Sequence, residues 1–204
     1  MPKQVDHEGR RRRIADAVCL LVDEHGLEGV TLRDVATRAD VSMGAVQRCF
    51  RTKEEMLRFA LAHIGERVTA RVRSRLAVGP APSAAGEPGP APSAADELAL
   101  VAGEVALLRE EHRAEARIWL AFVAGAAVNP ELARTLRSSY AGLEDLVARL
   151  VAEASGGTPA GRVEARTLLA LADGLTAHVL IGHLTEAEAE EVLQAHLAGL
   201  WGRC

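Results

Sequence analysis

Polar and basic side chains suited to binding chemistry are concentrated in the stretch TLRDVATRADVSMGAVQRCF, residues 31–50. Arg33 and Arg48 can pair with phosphate oxygens or with base edges, and Gln47 can pair bidentately with adenine. Gly44 has no side chain to keep a partner away from the backbone. These are the contacts by which proteins bind double-stranded DNA, so the stretch predicts a nucleic-acid interface.

Two short helices must position these side chains. Thr31 is a predicted N-cap with Asp34 three residues on, and Ser42 is the predicted N-cap of the next helix. Between the two helices, residues 39–41 form a predicted tight turn, in which Asp40 tolerates the left-handed conformation. This is a helix-turn-helix, whose second helix fits the major groove while its N-terminus offers free N–H groups to phosphate.

The candidate DNA-binding residues are Arg13, Thr31, Arg33, Ser42, Met43, Gly44, Ala45, Gln47, Arg48, Thr52 and Lys53. Solvated surface charge is the alternative role for the arginines, and capping alone is the alternative for the hydroxyls. The basic run Arg10–Arg13 is either an arm that reaches the DNA or a disordered tail. Lys53 opposes the dipole at a helix start, which favours a phosphate partner.

The remaining chain follows helical periodicity throughout, which predicts an all-α fold of about nine helices. An N-terminal helix-turn-helix domain is expected at residues 1–52 and a connecting helix at 53–77. Residues 78–95 contain GPAPSAA twice and five of the eight prolines, which predicts a flexible linker. A helical ligand-binding and dimerisation domain should fill 96–204.

Predicted boundaries rest on local signals. The N-terminal signals, each a capping residue with an acid or proline at the appropriate position, are Thr52 with Glu55, Ser93 with Asp96, Asn129 with Pro130, Thr158 with Pro159, and Thr185 with Glu188. Gly26 suits the left-handed position that ends the first helix, and Gly156-Gly157 breaks a later one.

Charge is divided unevenly along the chain. The net charge is −4, but residues 1–77 hold 15 Lys and Arg against 11 Asp and Glu, and the rest hold 9 against 17. A basic front half fits a protein in which only that half faces phosphate, although patchy surface charge gives the same numbers.

Cysteine count and hydropathy narrow the class further. Cys19, Cys49 and Cys204 have unrelated spacings, which argues against a disulfide framework or a zinc site. With neither a signal peptide nor a membrane span apparent, we expect a cytoplasmic protein with no membrane partner. No metal or cofactor is expected. His178 and His183 lie five residues apart, and we do not expect them to form a metal pair.

Residues 13–61 resemble the DNA-binding domain of the TetR (tetracycline-repressor-like) family. The matching residues are the basic lead-in Arg10–Arg13, Gly26, Thr31-Leu32-Arg33-Asp34-Val35-Ala36, Ala39, Val41-Ser42-Met43-Gly44, Phe50 and Lys53-Glu54. Ala172-Asp173-Gly174-Leu175 resembles a turn of the family's regulatory domains. Three positions depart from the pattern: Asp40 replaces a common glycine, Gln47 a tyrosine, and Cys49 a histidine or tyrosine. Phosphate contacts at the last two positions are therefore in question, and a distinct operator is expected.

The resemblance implies a homodimeric regulator, a repressor that binds a palindromic operator and is released by a small-molecule effector. The ligand-binding candidates are His112, Trp119, Phe122, Val123, Asn129, Tyr140 and His178. The dimer-interface candidates, on the last two helices, are Leu175, Val179, Val192, Leu193, Leu197 and Trp201. Core packing within the monomer is the alternative for both sets.

Two other functions compete with this hypothesis. One is an architectural DNA-binding protein without an effector. The other is a small helical enzyme, but no G-x-S-x-G, P-loop, HExxH or glycine-rich nucleotide motif occurs in the chain. The prediction is therefore a regulator and not an enzyme.

Overall fold

A computed structural model of the chain describes residues 7–78, 93–155 and 161–201, and every regular element in these ranges is helical. The elements are α1 His7–His25, α2 Leu32–Arg38, α3 Met43–Cys49, α4 Lys53–Val78, α5 Ala94–Val105, a 3-10 turn Glu110–His112, α6 Arg113–Ala126, α7 Pro130–Ala154, α8 Gly161–Leu180 and α9 Glu186–Trp201. The predicted all-α fold with nine helices is confirmed for these ranges. Most of the linker, the break at Gly156-Gly157 and the start at Thr158-Pro159 lie outside them.

Side-chain caps begin the two short helices where the sequence predicts them. Thr31 Oγ1 accepts a hydrogen bond from the Asp34 N–H at 3.2 Å, and Ser42 Oγ accepts one from the Ala45 N–H at 3.2 Å. Gly26 ends α1 with φ +68° and donates its N–H to the Val22 carbonyl. These local bonds fix the lengths of α1, α2 and α3, because each occupies backbone groups that a helix end leaves unpaired.

Caps also begin the later helices. Ser93 with Asp96 and Thr185 with Glu188 form reciprocal capping boxes. Asn129 Oδ1 accepts the N–H groups of Glu131 and Leu132 ahead of the proline-initiated α7. At α4, Thr52 caps as predicted, but the Glu55 carboxylate accepts the N–H of Arg51, one residue before the cap.

The described residues group into two compact units. The first comprises the chain up to Glu66 together with Arg117–Ser139, and the second comprises Arg67–Ala116 and the chain from Tyr140 onward. Helices α4, α6 and α7 each contribute to both. The domain boundaries proposed from the sequence stay a prediction.

In the first unit, α1, α2 and α3 pack on one another around a common core. The largest fully buried side chains of the first unit are Phe50, Phe122, Ile14, Met56, Leu61, Ile64 and Val18. The part of α6 from Arg117 onward also belongs to this unit, and Arg117 forms a two-pronged ion pair with Asp23 of α1. Leu27 lies against Gly125 so closely that a Cβ there would be 2.5 Å from the leucine Cδ1.

In the second unit, α5, α7, α8 and α9 enclose an aliphatic core that includes Leu98, Val147, Leu168, Leu193 and Leu197. The buried Thr176 of α8 donates its hydroxyl to the Ala106 carbonyl at 2.6 Å, which ties α8 to the end of α5. This unit carries the residues for which ligand and dimer roles are predicted, apart from those on α6 and Asn129.

Candidate nucleic-acid interface

Helix α3 has one buried and one exposed face. Val46 and Cys49 lie in the core with exposed fractions of 0% and 4%, whereas Met43, Gln47 and Arg48 face solvent. The buried face fixes the rotation of the helix, so the exposed one is presented on a rigid support.

Ala45 is the predicted contact that the structure removes from this face. Its side chain is 6% exposed, and its N–H is bonded to Ser42 Oγ. The residue belongs to the core because positions 45, 46 and 49 share the inward side of a 3.6-residue repeat. Ala45 is therefore a packing residue of the first unit, and its role as a DNA contact stays a prediction.

The Arg48 side chain lies beside Gly44, at the start of α3. A Cβ built on Gly44 would lie 3.5 Å from Nη1 of Arg48, so the guanidinium already extends over the glycine. Within the described ranges, no carboxylate lies at ion-pair distance from Arg48 or Arg33. Both arginines are exposed, as is Arg13. Their charges are thus available to an external anion.

The hydroxyls of Thr31, Ser42 and Thr52 are all exposed and all cap helices. Capping uses one acceptor lone pair, and the Ser42 and Thr52 hydroxyls still have a hydrogen to donate. Thr31 has committed its hydrogen to Asp34 at 2.6 Å. Lys53 Nζ donates to the Glu28 carbonyl at 3.4 Å, a weak bond that a phosphate could replace.

The turn between the helices takes the strained conformation expected of it. Asp40 has φ 51°, in the left-handed region, and the following Val41 N–H bonds to the Ala36 carbonyl at 3.0 Å. Aspartate thus serves where the resemblance expects glycine. Arg38 forms a two-pronged pair with Glu24 of α1, and this bond lowers the pKa of the Glu24 carboxyl.

The basic run at the start of the chain is helical rather than a free arm. Residues 10–13 lie within α1, and Arg12 pairs with Glu8 at 3.4 Å. The disordered-tail interpretation is therefore wrong, because the helix already begins at His7, whereas a contact between this run and DNA stays a prediction.

Arg11 has a role that the sequence interpretation missed. Its guanidinium carbon lies 4.5 Å from the ring centroids of both Phe50 and Phe59, and Glu55 is 3.9 Å away. The cation therefore joins α1 to the end of α3 and the start of α4. An arginine three residues before a buried Ile14 was the only available signal, and it does not reveal the aromatic partners.

The ligand-binding candidates are divided between the two units. Trp119, Phe122, Val123 and Asn129 belong to the first unit, and His112, Tyr140 and His178 to the second. Phe122 is fully buried, and the Asn129 amide oxygen is occupied as a cap. Their ligand roles stay a prediction.

Within the second unit, Tyr140 donates its hydroxyl to the Asp173 carboxylate. His178 is exposed, and its ring meets that of His183 edge-on with centroids 4.9 Å apart. The two histidines come together because the chain reverses at Gly182, φ +73°, after α8 ends. No cluster of three or more potential metal ligands occurs among the described residues.

His112 lies beside a buried ion-pair cluster formed by Arg71, Arg75, Glu104 and Glu115. Arg71 Nε is 3.0 Å from Glu104 Oε2 and its Nη2 is 2.6 Å from Glu115 Oε2, while Arg75 Nη1 is 2.8 Å from Glu104 Oε1. Burial lowers the pKa of His112, and the nearby Arg71 charge lowers it further. Burial also opposes ionisation of Arg71, but its bonds to Glu115 and Glu104 prevail and raise its pKa.

Known proteins share both halves of this architecture. Residues 14–59 match the family described as bacterial regulatory proteins, tetR family, and residues 94–202 match the BetI-type transcriptional repressor C-terminal family. The second match alone spans more than half of the chain. The chain belongs to the TetR family of transcriptional regulators.

Individual TetR-family relatives agree with this assignment. The regulator PksA of Bacillus subtilis is 28% identical over 98% of this chain and 94% of its own. The regulator BetI of Paraburkholderia phymatum is 32% identical over 86% and 83%. These relatives are regulators and not enzymes, as predicted.

Solved structures share the fold. A transcriptional regulator from Rhodococcus sp. Rha1 superimposes with a TM-score of 0.77 at 30% identity, over 93% of this chain and 95% of its own. A regulator from Saccharomonospora viridis, solved in complex with choline, gives 0.77 at 19% identity over 94% and 96%. The second likeness concerns the fold alone.

The dimer candidates of this TetR-family chain lie mostly inward. Four of them are at most 6% exposed: Leu175, Val179, Leu193 and Leu197. Val192, at 42% exposed, faces outward. The Trp201 side chain is not among those that the structure describes. Hydrophobic periodicity selected the inward stripe, because it is the more apolar one. The dimer roles stay a prediction, with little surface at the four buried positions to support them.

A second stripe on the last two helices does face solvent. On α8 it runs through Val163, Thr167, Ala170 and Gly174, all exposed and spaced by helical turns, and the exposed Ile181 follows directly after the helix. On α9 it includes Val192 and Ala195.

In the described part of the chain, no helix is apolar over enough length to cross a bilayer.

Proposed function

We propose that this regulator binds a two-fold-symmetric operator as a homodimer, represses transcription there, and is released by a small-molecule effector. The observation that carries the proposal is the exposed face of α3, where Met43, Gln47 and Arg48 project from a helix held by its buried side. A helix of this kind is what the major groove admits.

Gln47 and Arg48 on that face suit different atoms of DNA. Gln47 can bond the N6 and N7 atoms of adenine, and Arg48 can bond guanine or a phosphate. Gly44 lets the helix start approach the DNA backbone. Because Cys49 is buried, it takes no part, and the operator preference rests on Gln47 and Arg48.

Two copies are needed because half-sites of a palindrome lie about one helical turn apart. The exposed stripe of α8 and α9 supports an isologous interface, since small residues such as Ala170 and Gly174 permit close helix packing. Ile181 and Val163 are 77% and 65% exposed, and a partner copy would remove them from water.

Effector release is supported by the BetI-type match over residues 94–202 and by the choline complex of the Saccharomonospora viridis regulator. An effector acts by binding one conformation more tightly than another, so that the population with misplaced α3 helices increases. Choline is the first compound to test.

The decisive experiment is a gel-shift titration of the full chain against the DNA flanking its own gene. We expect a sequence-selective shift that weakens as salt rises, because bound phosphates release counterions. A shift that is equally strong on unrelated DNA would contradict operator recognition.

The effector arm uses a metabolite panel that begins with choline. We expect at least one compound to raise the melting temperature by mass action and to dissociate the operator complex. Selective DNA binding that no stabilising compound weakens would favour the architectural alternative.

A further inference from the structure

A groove in the second unit lies between α5 and α9, beside the end of α4. Its volume is about 690 Å³, within the range of small-molecule sites. Leu100 and Leu108 contribute apolar lining, while Arg75, Glu104, Arg109, Glu186 and Glu190 contribute charge. None of the residues predicted to bind ligand lines it.

The basic side of the groove is incompletely paired. Arg75 commits Nη1 to the buried Glu104, but its Nη2 is 3.9 Å from Glu111 Oε1. Arg109 Nη1 approaches the same oxygen at 3.7 Å. Two guanidinium groups from different elements thus converge on one carboxylate oxygen at distances longer than a hydrogen bond.

Glu111 is an easily displaced partner. Its side chain is 64% exposed, and it does not line the groove. A carboxylate supplied by a ligand could approach both guanidinium groups at bonding distance, and the exposed Glu111 would then swing into water at little cost.

The acidic side offers the opposite charge. Glu186 and Glu190 lie one turn apart on α9, and Glu190 accepts a bond from Gln194 at 2.7 Å. Within the described ranges, neither carboxylate has a basic residue at ion-pair distance. An ammonium group would find both unneutralised.

We infer that this groove binds a small zwitterion, with its carboxylate on Arg75 and Arg109, its ammonium on Glu186 and Glu190, and its apolar body against Leu100 and Leu108. The mixed charge of the lining selects a molecule with both charges over one that bears either alone. This site goes beyond the proposed function, and its occupancy does not depend on operator binding.

Three probes of equal chain length separate the contributions: ε-aminocaproate, caproate and hexylammonium. Their affinities for the full chain without DNA are measured by calorimetric titration. Because an exposed ion pair contributes up to about 1 kcal/mol, we expect ε-aminocaproate to bind about fivefold more tightly than either singly charged probe. Equal affinities for all three would overturn the inference.

Charge variants test which end binds where. Arg109→Gln should weaken ε-aminocaproate and caproate but leave hexylammonium unchanged. The double variant Glu186→Gln, Glu190→Gln should weaken ε-aminocaproate and hexylammonium but spare caproate. A uniform change across the three probes would contradict the assigned ends.

Gly103 offers a way to fill the groove without breaking the fold. It lines the groove, and a Cβ there would have nothing within 4 Å. Gly103→Leu should abolish binding of ε-aminocaproate and preserve melting temperature. The control is Gly142→Leu on α7, where a Cβ also meets nothing within 4 Å. Undiminished binding by Gly103→Leu would place the ligand elsewhere.

Discussion

An exposed surface of the first unit and an ion-pair cluster of the second use charged residues in opposite ways. In the first, Arg33 and Arg48 stand exposed above an apolar core. In the second, Glu104 and Glu115 are 1% and 7% exposed and are compensated by Arg71 and Arg75. An exposed charged side chain can bind a partner or be replaced with little effect on stability. Removing one member of a buried ion pair destabilises the unit, because the other charge is left buried and uncompensated. This contrast gives a series of tests.

The largest effect is expected from Arg71→Met. Removing the bridging guanidinium leaves Glu115 without its short ion pair and Glu104 with Arg75 alone, so the free energy of unfolding should fall by about 3 kcal/mol. Urea denaturation measures it. Arg73→Met, at an exposed position on the same helix, is the control and should change stability by less than about 0.5 kcal/mol. Equal losses of stability in Arg71→Met and Arg73→Met would contradict a special structural role for the buried ion pairs.

Gln47→Ala should show the reverse pattern. We expect operator affinity to fall by about 1–3 kcal/mol, the value of a bidentate base contact, with stability unchanged. Gel shifts and thermal melts on one preparation provide both quantities. Gln194→Ala, a second exposed glutamine on α9, should leave operator affinity intact. Loss of melting temperature with Gln47→Ala would mean that this face supports the fold.

The loss of stability in Arg11→Met should lie between those of Arg71→Met and Gln47→Ala, because Arg11 is half-buried and contacts two aromatic rings. Losing both cation–π contacts should cost about 1–2 kcal/mol of stability. Arg12→Met, whose pair with Glu8 is exposed, is the matched control and should cost less than about 0.5 kcal/mol. Arg11→Lys should recover part of the loss, since ammonium also binds aromatic faces. Chemical denaturation of the three variants measures these differences in the free energy of unfolding.

The smallest effect concerns pH. The folded-state pKa of His112 lies below its ordinary value of 6.5 because burial and then Arg71 disfavour the charged form. The unfolded chain therefore takes up the proton first as pH falls, so this stabilisation is complete above pH 6.5 and declines below it. Urea midpoints measured between pH 7.5 and pH 5.5 should fall less steeply in His112→Phe. Parallel profiles would exclude the contribution.

Local signals predicted much of the first unit and less of the second. Caps at Thr31 and Ser42 and the turn at Asp40 are encoded within a few residues, so spacing alone located α2 and α3. The rotation of α3, which buries Ala45, could also be derived from its periodicity. Arg11, by contrast, meets Phe50 and Phe59 from far along the chain, and no local pattern encodes such a pairing.

The groove and the dimer surface show a second limit. The charged residues of the groove come from three separate parts of the chain, namely Arg75, Arg109 and the pair Glu186 and Glu190. Each by itself resembles ordinary surface charge. Periodicity ranks helix faces by how apolar they are, so it chose Leu193 and Leu197, which the core already uses. Hydrophobic periodicity does not select the exposed Ala170 and Gly174, because both residues are small. They can be recognised as a surface stripe only once the buried face of α8 is known.

The ion pair between Asp23 and Arg117 and the seat of Leu27 on Gly125 bear on how such a regulator can be rebuilt. A hybrid made by joining the first 66 residues to a foreign sensor would lose the α6 segment on which α1 rests. Such a hybrid should be poorly folded unless residues 117–139 are transplanted with it. Exchange of DNA specificity is therefore better attempted by grafting the exposed side chains of α3 than by fusing fragments.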